Sequence, residues 1–175
     1  MEQKHAKYER LLARCRELAP APTAVAHPCD ESSLRGALEA AEKGIIQPIL
    51  VGPRGKIEAV ARESGLDIGA FEIVDAEHSH AAADRAVQLV HEGRAELLMK
   101  GSLHTDELMV AIVKSGTGLR TNRRISHCFI MDVPSLDRAI FVTDAAINIF
   151  PTMEDKVHII QNAIDLAHAL GNEKP

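Results

Sequence analysis

The sequence predicts an α/β protein with a mostly parallel sheet and helices on both faces, a three-layer α/β/α arrangement. Between residues 23 and 114, short β-branched runs alternate with segments of helical periodicity, the pattern of βα units that build parallel sheets. Hydrophobic residues make up 46% of the 175 residues, whereas aromatic residues make up only 3%. The core must therefore be packed from Ala, Val, Ile and Leu, as in parallel sheets covered by helices.

Four pairs of strand and helix are predicted along this part of the chain. The strands are expected at residues 23–26, 48–51, 72–74 and 96–99, and the helices that follow them at residues 32–43, 56–63, 81–91 and 106–114. In the third helix, the residues that recur at helical spacing and should face the sheet are Ala82, Ala86, Leu89 and Val90. Before the first strand, a charged amphipathic helix without the apolar core of a signal peptide is indicated by Lys4, Lys7, Glu9, Arg10, Arg14 and Arg16.

The pattern changes at residues 115–118, Ser-Gly-Thr-Gly, whose glycines favour a hinge or a long loop. We expect a first α/β domain at residues 1–116 and the opening of a second, incomplete domain at residues 117–175. Two apolar runs, residues 125–132 and 139–143, are joined by a connection too short for a helical crossover. They should therefore pair in antiparallel fashion.

A final helix is predicted from a cap at Thr152 to a stop at Gly171. Its apolar residues recur at helical spacing, which indicates one face packed against the rest of the domain. That buried stripe is expected to consist of Val157, Ile160, Ile164 and Ala167.

Charge and cysteine content narrow the class of partner. The net charge of −5 argues against nucleic acid and acidic membranes, because both favour a basic surface, and a small metabolite fits better. No later run approaches the length of a membrane span, so a cytoplasmic location is expected. The three cysteines, Cys15, Cys29 and Cys128, are scattered without metal-type spacing, which indicates reduced thiols and no metal site.

The first candidate site is the loop of residues 100–105, between a predicted strand and a predicted helix, where ligands of α/β sheets bind. Gly101 would let backbone amides approach an anion, Lys100 adds a positive charge, and Thr105 is expected to cap the helix. Ser102 and His104 complete the candidate set. The alternative is an ordinary capped turn between strand and helix.

The second candidate site holds Arg120, Arg123 and Arg124, followed by Ser126. Guanidinium groups hold phosphate or pyrophosphate oxygens in bidentate fashion, and the glycines before this cluster would let the loop fold around such a ligand. The alternative is a solvated loop.

The third candidate site pairs Asp144 with Asn148 just after an apolar run, with small residues between them. The two side chains could hydrogen-bond a ligand or orient a basic group, or they could only satisfy turn amides. A Cys/His nucleophile at His27 and Cys29 is disfavoured, because no third residue is placed to orient the histidine and Asp30 is explained by helix capping.

Taken together, residues 100–108 (Lys-Gly-Ser-Leu-His-Thr-Asp-Glu-Leu), 118–121, 124–127 and 143–148 resemble the phosphate acetyltransferase/phosphate butyryltransferase family. Residues 27–30 and 161–163 extend the resemblance over nearly the whole chain. It implies an isopropylmalate-dehydrogenase-like fold, two domains with a cleft between them, and a homodimer or higher homo-oligomer. It also implies exchange between acyl-CoA plus phosphate and acyl phosphate plus CoA, with CoA as a substrate and no metal or other cofactor.

The same resemblance implies roles for the candidate residues. The loops of Lys100 and of the arginines would hold phosphate or the phosphates of CoA, and Asp144 and Asn148 would order the cleft. Members of the family are longer, and their C-terminal Ser-Arg segment has no counterpart here, so a truncated form is expected, with catalytic residues beyond residue 175. Two alternatives remain: a non-catalytic, acyl-CoA-sensing domain of the kind fused to malic enzymes, and an oligomer-forming domain without a ligand.

Overall fold

The structure, a computed structural model, describes residues 6–175 and divides into two compact units. One unit spans Cys15–Arg120 and is called the sheet unit here; the other joins the residues up to Arg14 with Thr121–Pro175 and is called the second unit. Helix α1 (Ala6–Cys15) begins the described chain, so the predicted N-terminal helix is present, while Lys4 lies outside the described residues. The domain limit at residue 116 stays a prediction, although α1 groups mainly with Thr121–Pro175 rather than with the sheet.

The sheet unit contains the four strands that the sequence predicts. They are β1 (Ala21–Ala26), β2 (Ile46–Gly52), β3 (Glu72–Asp75) and β4 (Leu97–Lys100), all parallel, in the order β3-β2-β1-β4. Because β1 is central, its carboxyl end lies between those of β2 and β4. The register places Ala26 beside both Val51 and Lys100.

Helices cover both faces of this sheet, as the α/β prediction requires. Their bounds are α2 (Glu31–Glu42), α3 (Arg54–Glu63), α4 (Ser79–His91) and α5 (Thr105–Val113). On one face, Val25 and Leu50 pack with residues of α2 and α3; on the other, Ala24 and Val51 pack with residues of α4 and α5. Alternate strand residues point to opposite faces, so the continuous apolar runs of residues 24–26 in β1 and 49–51 in β2 build both cores.

The second unit contains β5 (Cys128–Met131) and β6 (Ile140–Thr143), antiparallel as predicted, followed by α6 (Met153–Ala169). Thr152 caps α6, since its Oγ1 accepts from the backbone N of Asp155 at 3.2 Å and its own N donates to Asp155 Oδ2 at 2.9 Å. After the helix, Gly171 takes a φ of +84°, the left-handed conformation that favours glycine. The predicted cap and stop of this helix are therefore confirmed.

The predicted buried stripe of α6 is wrong at two of its four positions. Val157 is 62% exposed and Ile160 is 55% exposed, whereas the buried residues of α6 are Ile159 and Ala167. The helix carries apolar residues on more than one face, and spacing alone does not say which face is packed. No helix within residues 6–175 is both long and apolar enough to cross a membrane.

Candidate functional site

In the sheet unit, two loops meet beyond the neighbouring carboxyl ends of β1 and β4. The backbone N of Gly101 donates to the carbonyl oxygen of Ala26 and the N of Ser102 to that of His27, both at 2.8 Å. A Cβ atom at Gly101 would lie far inside van der Waals contact with the carbonyl oxygens of Ala26 and His27. Gly101 therefore lets two backbones approach each other, and its N–H and that of Ser102 are already used within the protein.

Ser102 links these two loops through its side chain. Its Oγ donates to the carbonyl oxygen of His27 at 2.9 Å, accepts from the N of Cys29 at 3.3 Å, and lies 3.1 Å from Nδ1 of His27. The hydroxyl of Ser102 donates its single proton to the carbonyl oxygen of His27. The contact between Ser102 Oγ and His27 Nδ1 therefore requires that Nδ1 carry a proton and donate it to Oγ. His27 holds a φ of +56°, so this histidine is set at a sharp backbone bend.

The electrostatics of His27 and Cys29 disfavour a thiolate nucleophile. Burial, with a contribution from nearby Lys56, lowers the pKa of His27, and burial raises the pKa of the Cys29 thiol. A thiolate and imidazolium pair needs the opposite shifts. Asp30 caps α2, as expected, because its Oδ1 accepts from the N of Ser33 at 2.8 Å.

We expect Cys29 to react with iodoacetamide at pH 7 more slowly than free glutathione does, because its burial favours the protonated thiol. The rate is read by mass spectrometry of the Cys29 peptide. Cys29→Ser, in which this signal disappears, is the control for peptide assignment. Faster alkylation than glutathione would contradict this reading and restore the nucleophile hypothesis.

Lys100 at the end of β4 is tied to its own loop. Its Nζ donates to the carbonyl oxygens of Leu103 at 2.8 Å and Gly101 at 3.2 Å. These bonds use two of the three N–H groups of the ammonium. The side chain is therefore held in place and places a positive charge beside Ser102.

The cap of α5 differs from the prediction, which assigned it to Thr105. The helix begins at Thr105 and its N-cap is His104, whose backbone N donates to Oε2 of Glu107 at 2.8 Å. Ser79 Oγ donates to the other oxygen of Glu107 at 2.8 Å. The bonds from His104 and Ser79 lower the pKa of Glu107, so a carboxylate already occupies the positive end of this helix.

The three arginines are divided between the two units. Arg120 is an exposed residue at the end of the sheet unit, while Arg123 and Arg124 begin the second unit. Arg123 pairs with Asp165 of α6, and Arg124 Nη1 lies 3.1 Å from Oδ1 of Asp155. The two arginines of the second unit are therefore bound to carboxylates of α6.

Asp144 and Asn148 form a closed turn to which Arg124 is joined. Asp144 Oδ1 accepts from the backbone N of Ala146 and of Ile147, both at 3.0 Å, and its Oδ2 accepts from both nitrogens of Asn148. Burial alone would raise the pKa of Asp144, but these hydrogen bonds outweigh it and hold the pKa far below its ordinary value. Asn148 Oδ1 accepts from Arg124 Nε at 2.6 Å.

Ser126 is also connected to this network, through a residue that was not among the predicted site residues. Asn162 Nδ2 donates to Ser126 Oγ at 2.8 Å and to the carbonyl oxygen of Arg124 at 2.9 Å. Asp155, Asn162 and Asp165 are spaced by seven and three residues, which places them on one face of α6. This polar stripe of carboxylates and an amide could have identified the partners of Arg123 and Arg124 from the sequence.

The described residues offer hydroxyl, ammonium and guanidinium groups at these loops, but no group of His, Cys, Asp and Glu side chains within residues 6–175 could hold a metal ion.

The fold is shared with solved phosphotransacylases. A phosphotransacetylase from Streptococcus pyogenes superposes with a TM-score of 0.77 at 18% identity, covering 91% of this chain and 58% of that one. A branched-chain phosphotransacylase from Enterococcus faecalis V583 superposes with a TM-score of 0.70 at 26% identity, covering 86% of this chain and 52% of that one.

Sequence comparison places the chain more narrowly. The model of a family described as phosphate acetyl/butaryl transferase matches residues 81–175. A phosphate acetyltransferase of Rhizobium meliloti is 64% identical over 97% of this chain and 54% of its own length, and a phosphate butyryltransferase of Clostridium beijerinckii is 39% identical over 96% and 56%. The chain belongs to the phosphate acetyl/butyryltransferase family, as the resemblance of its motifs indicates. It spans about half the length of these curated relatives.

Proposed function

We propose that this chain supplies about half of a phosphate acyltransferase, which interconverts acyl-CoA plus phosphate with acyl phosphate plus CoA. The observation that carries the proposal is the 64% identity to a phosphate acetyltransferase over 97% of this chain. At these loops, the ammonium of Lys100 has one N–H group beyond its two bonds to backbone carbonyls, and the guanidinium of Arg120 is exposed, so both suit an anionic group.

In the proposed reaction, a phosphate oxygen attacks the thioester carbonyl carbon, a C–O bond forms, and the C–S bond breaks to release CoA as a thiolate that takes up a proton. Catalysis of this step depends on holding two anionic reactants together and stabilising the charge that develops on oxygen and sulfur. CoA is a substrate, and the proposal includes no metal or other cofactor.

The candidate residues have separate proposed roles. Arg120, which is exposed and has no bonded partner among the described residues, is proposed to bind the phosphates of CoA or the attacking phosphate. Lys100, with Gly101, Ser102, His104 and Thr105, is proposed to hold an anion beside the β4 loop. In the second unit, Arg123, Arg124 and Ser126 are proposed to bind phosphate groups of the substrates, and Asp144 and Asn148 to order the loop beside them.

The reaction is tested by release of CoA thiol from acetyl-CoA and from butyryl-CoA in the presence of phosphate. This chain is assayed alone and in a longer protein, in which it is fused to the part of the Rhizobium meliloti phosphate acetyltransferase that lies outside the match, and that enzyme itself is the positive control. Thiol release that depends on phosphate supports an active chain, and activity in the longer protein alone supports truncation. CoA binding without phosphate-dependent turnover in both proteins would contradict the proposal and favour the acyl-CoA sensor, which the family membership does not favour.

Arg120→Ala is expected to weaken CoA binding by roughly tenfold, because it removes a charge-assisted contact worth about 1.5 kcal/mol. Isothermal titration of CoA into the chain measures the change. Arg62→Ala is the matched control, since Arg62 is an exposed arginine of the sheet unit that likewise has no bonded partner within residues 6–175, and its loss should leave the affinity unchanged. Equal affinities of all three proteins would remove Arg120 from the site.

The assembly and location of the protein belong to the same proposal. By analogy with its family, we propose a homodimer or higher homo-oligomer with acyl-CoA and phosphate as its small-molecule partners, in the cytoplasm. Nucleic acid and membranes are not proposed as partners, given the net charge of −5.

A further inference from the structure

The second unit has little core of its own. Of its described hydrophobic residues, only Leu12, Ile159 and Ala167 are buried, whereas the sheet unit has a buried cluster on each face of its sheet. A two-stranded sheet with so little burial is marginally stable in water. This unit therefore needs a further covering surface to reach the packing typical of a domain.

The β5–β6 sheet is apolar on both faces, and α1 and the end of α6 partly cover one of them. In its register, Phe129 lies opposite Val142 and Met131 opposite Ile140, so these residues share a face. On the other face, Ile130 and Phe141 line a cavity of about 490 Å³ together with Tyr8 and Leu11 of α1 and Leu170. The first face carries the sheet patch, which consists of Phe129, Met131 and Val142, exposed by 51%, 45% and 43%.

Helix α6 has a second uncovered apolar surface. Met153, Val157 and Ile160 are 78%, 62% and 55% exposed and recur at positions i, i+4 and i+7, so they lie on one side of the helix. These three residues are called the helix patch. Val157 and Ile160 are two of the four residues whose burial the sequence pattern predicts, so a partner outside the described chain would account for the pattern.

The strand sequences point to the same conclusion. Residues 128–131 are Cys-Phe-Ile-Met and residues 140–143 are Ile-Phe-Val-Thr, with apolar residues on both sides of each strand. Such runs are typical of strands that are buried on both faces. Among the described strands, β5 and β6 pair only with each other, so each has an outer edge that can accept another strand.

The occupant of these patches follows from how far the family relatives extend. The Rhizobium meliloti phosphate acetyltransferase matches 97% of this chain, yet this chain covers only 54% of that protein. The relatives thus contain a polypeptide of similar size that has no counterpart in residues 1–175. That polypeptide is the expected packing partner of the exposed apolar residues of the second unit.

We propose that the sheet patch and the helix patch are a docking surface for polypeptide equivalent to the half of a phosphate acyltransferase that this chain does not match. The inference rests on the proposed function. It predicts that the two halves assemble when they are supplied as separate chains.

The test coexpresses the tagged chain with the part of the Rhizobium meliloti enzyme that lies outside the match. The wild-type chain should retain that part on the affinity resin in an amount equal to its own, and quantitative mass spectrometry measures the ratio of the two polypeptides. Val142→Lys in the sheet patch and Val157→Lys in the helix patch should each reduce the retained amount at least tenfold. The matched control is Val110→Lys, at a position of α5 that is 65% exposed, close to the 62% of Val157.

Circular dichroism of each variant establishes that the lysine leaves the secondary structure intact. The inference is overturned when the wild-type chain does not retain the Rhizobium meliloti part. It is also overturned when Val110→Lys reduces retention as much as Val142→Lys and Val157→Lys do, or when these two patch variants dissociate a dimer of this chain and leave retention unchanged. A retained complex that releases no CoA thiol supports the docking surface and contradicts the proposed function. The two proposals therefore fail separately.

Discussion

Gly101→Ala is expected to lower the free energy of unfolding of the sheet unit by about 3 kcal/mol. The added Cβ would overlap the carbonyl oxygens of Ala26 and His27, and these atoms belong to backbone that is fixed by hydrogen bonds to Gly101 and Ser102. Backbone cannot move aside as a flexible side chain does, so the cost reaches the upper end of the range for overpacking. Urea unfolding followed by circular dichroism measures it.

The control for this prediction is Gly55→Ala. Gly55 lies in α3 with open space around its Cβ position, and alanine favours a helix over glycine by up to about 1 kcal/mol. This variant should be as stable as the wild type or slightly more so. A loss below about 1 kcal/mol in Gly101→Ala would contradict the close approach of the β1 and β4 loops.

Asp144→Ala is expected to cost about 2 to 3 kcal/mol in local stability of the turn, because it leaves the N–H groups of Ala146, Ile147 and Asn148 without their acceptor. Asn148 would also lose the partner that orients it toward Arg124. Hydrogen exchange of the three amides should accelerate about a hundredfold, which corresponds to roughly 3 kcal/mol. Nuclear magnetic resonance measures the exchange.

The control is Asp137→Ala, which removes an exposed carboxylate of the same unit that has no bonded partner among the described residues. It should leave the exchange rates of the three amides unchanged.

The contribution of Asp144 to stability also has a defined pH dependence. Its folded-state pKa is lowered, so the stabilisation is present above its ordinary pKa of about 3.9 and is lost as the pH falls further toward the lowered value. A difference between wild type and Asp144→Ala that disappears already at pH 6 would contradict this assignment.

Most of the fold could be predicted because its determinants are local. Alternating apolar runs and helical periods place all four strands and four helices of the sheet unit, and the short connection between β5 and β6 predicts their antiparallel pairing. The cap of α5 was misplaced by one residue, because His104 is an unusual capping residue and Glu107 supplies the bond to its backbone N. Burial on α6 was misjudged since its apolar residues occupy more than one face.

The candidate site was predictable in its residue types but not in its connections. Asp144 and Asn148 were identified as a polar pair just after a strand, because their short spacing keeps them together. Their bond with Arg124, 24 positions away, was not predicted. The bond between Ser102 and His27 joins residues 75 positions apart, and no local pattern contains that information. The partners of Arg123 and Arg124 on α6 are likewise separated from them in sequence and are brought to them by folding.

By itself, the sequence determined the α/β class, the order of strands and helices and the membership of a family, because hydrophobic period, turn chemistry and motif order are properties of neighbouring residues. The tertiary structure alone decided that Gly101 serves contact between backbones, that Ser102 joins His27, and that the three arginines divide between two units. It also decided which apolar faces are covered. The physical reason is that hydrogen bonds and burial depend on groups that become neighbours only when distant parts of the chain pack together.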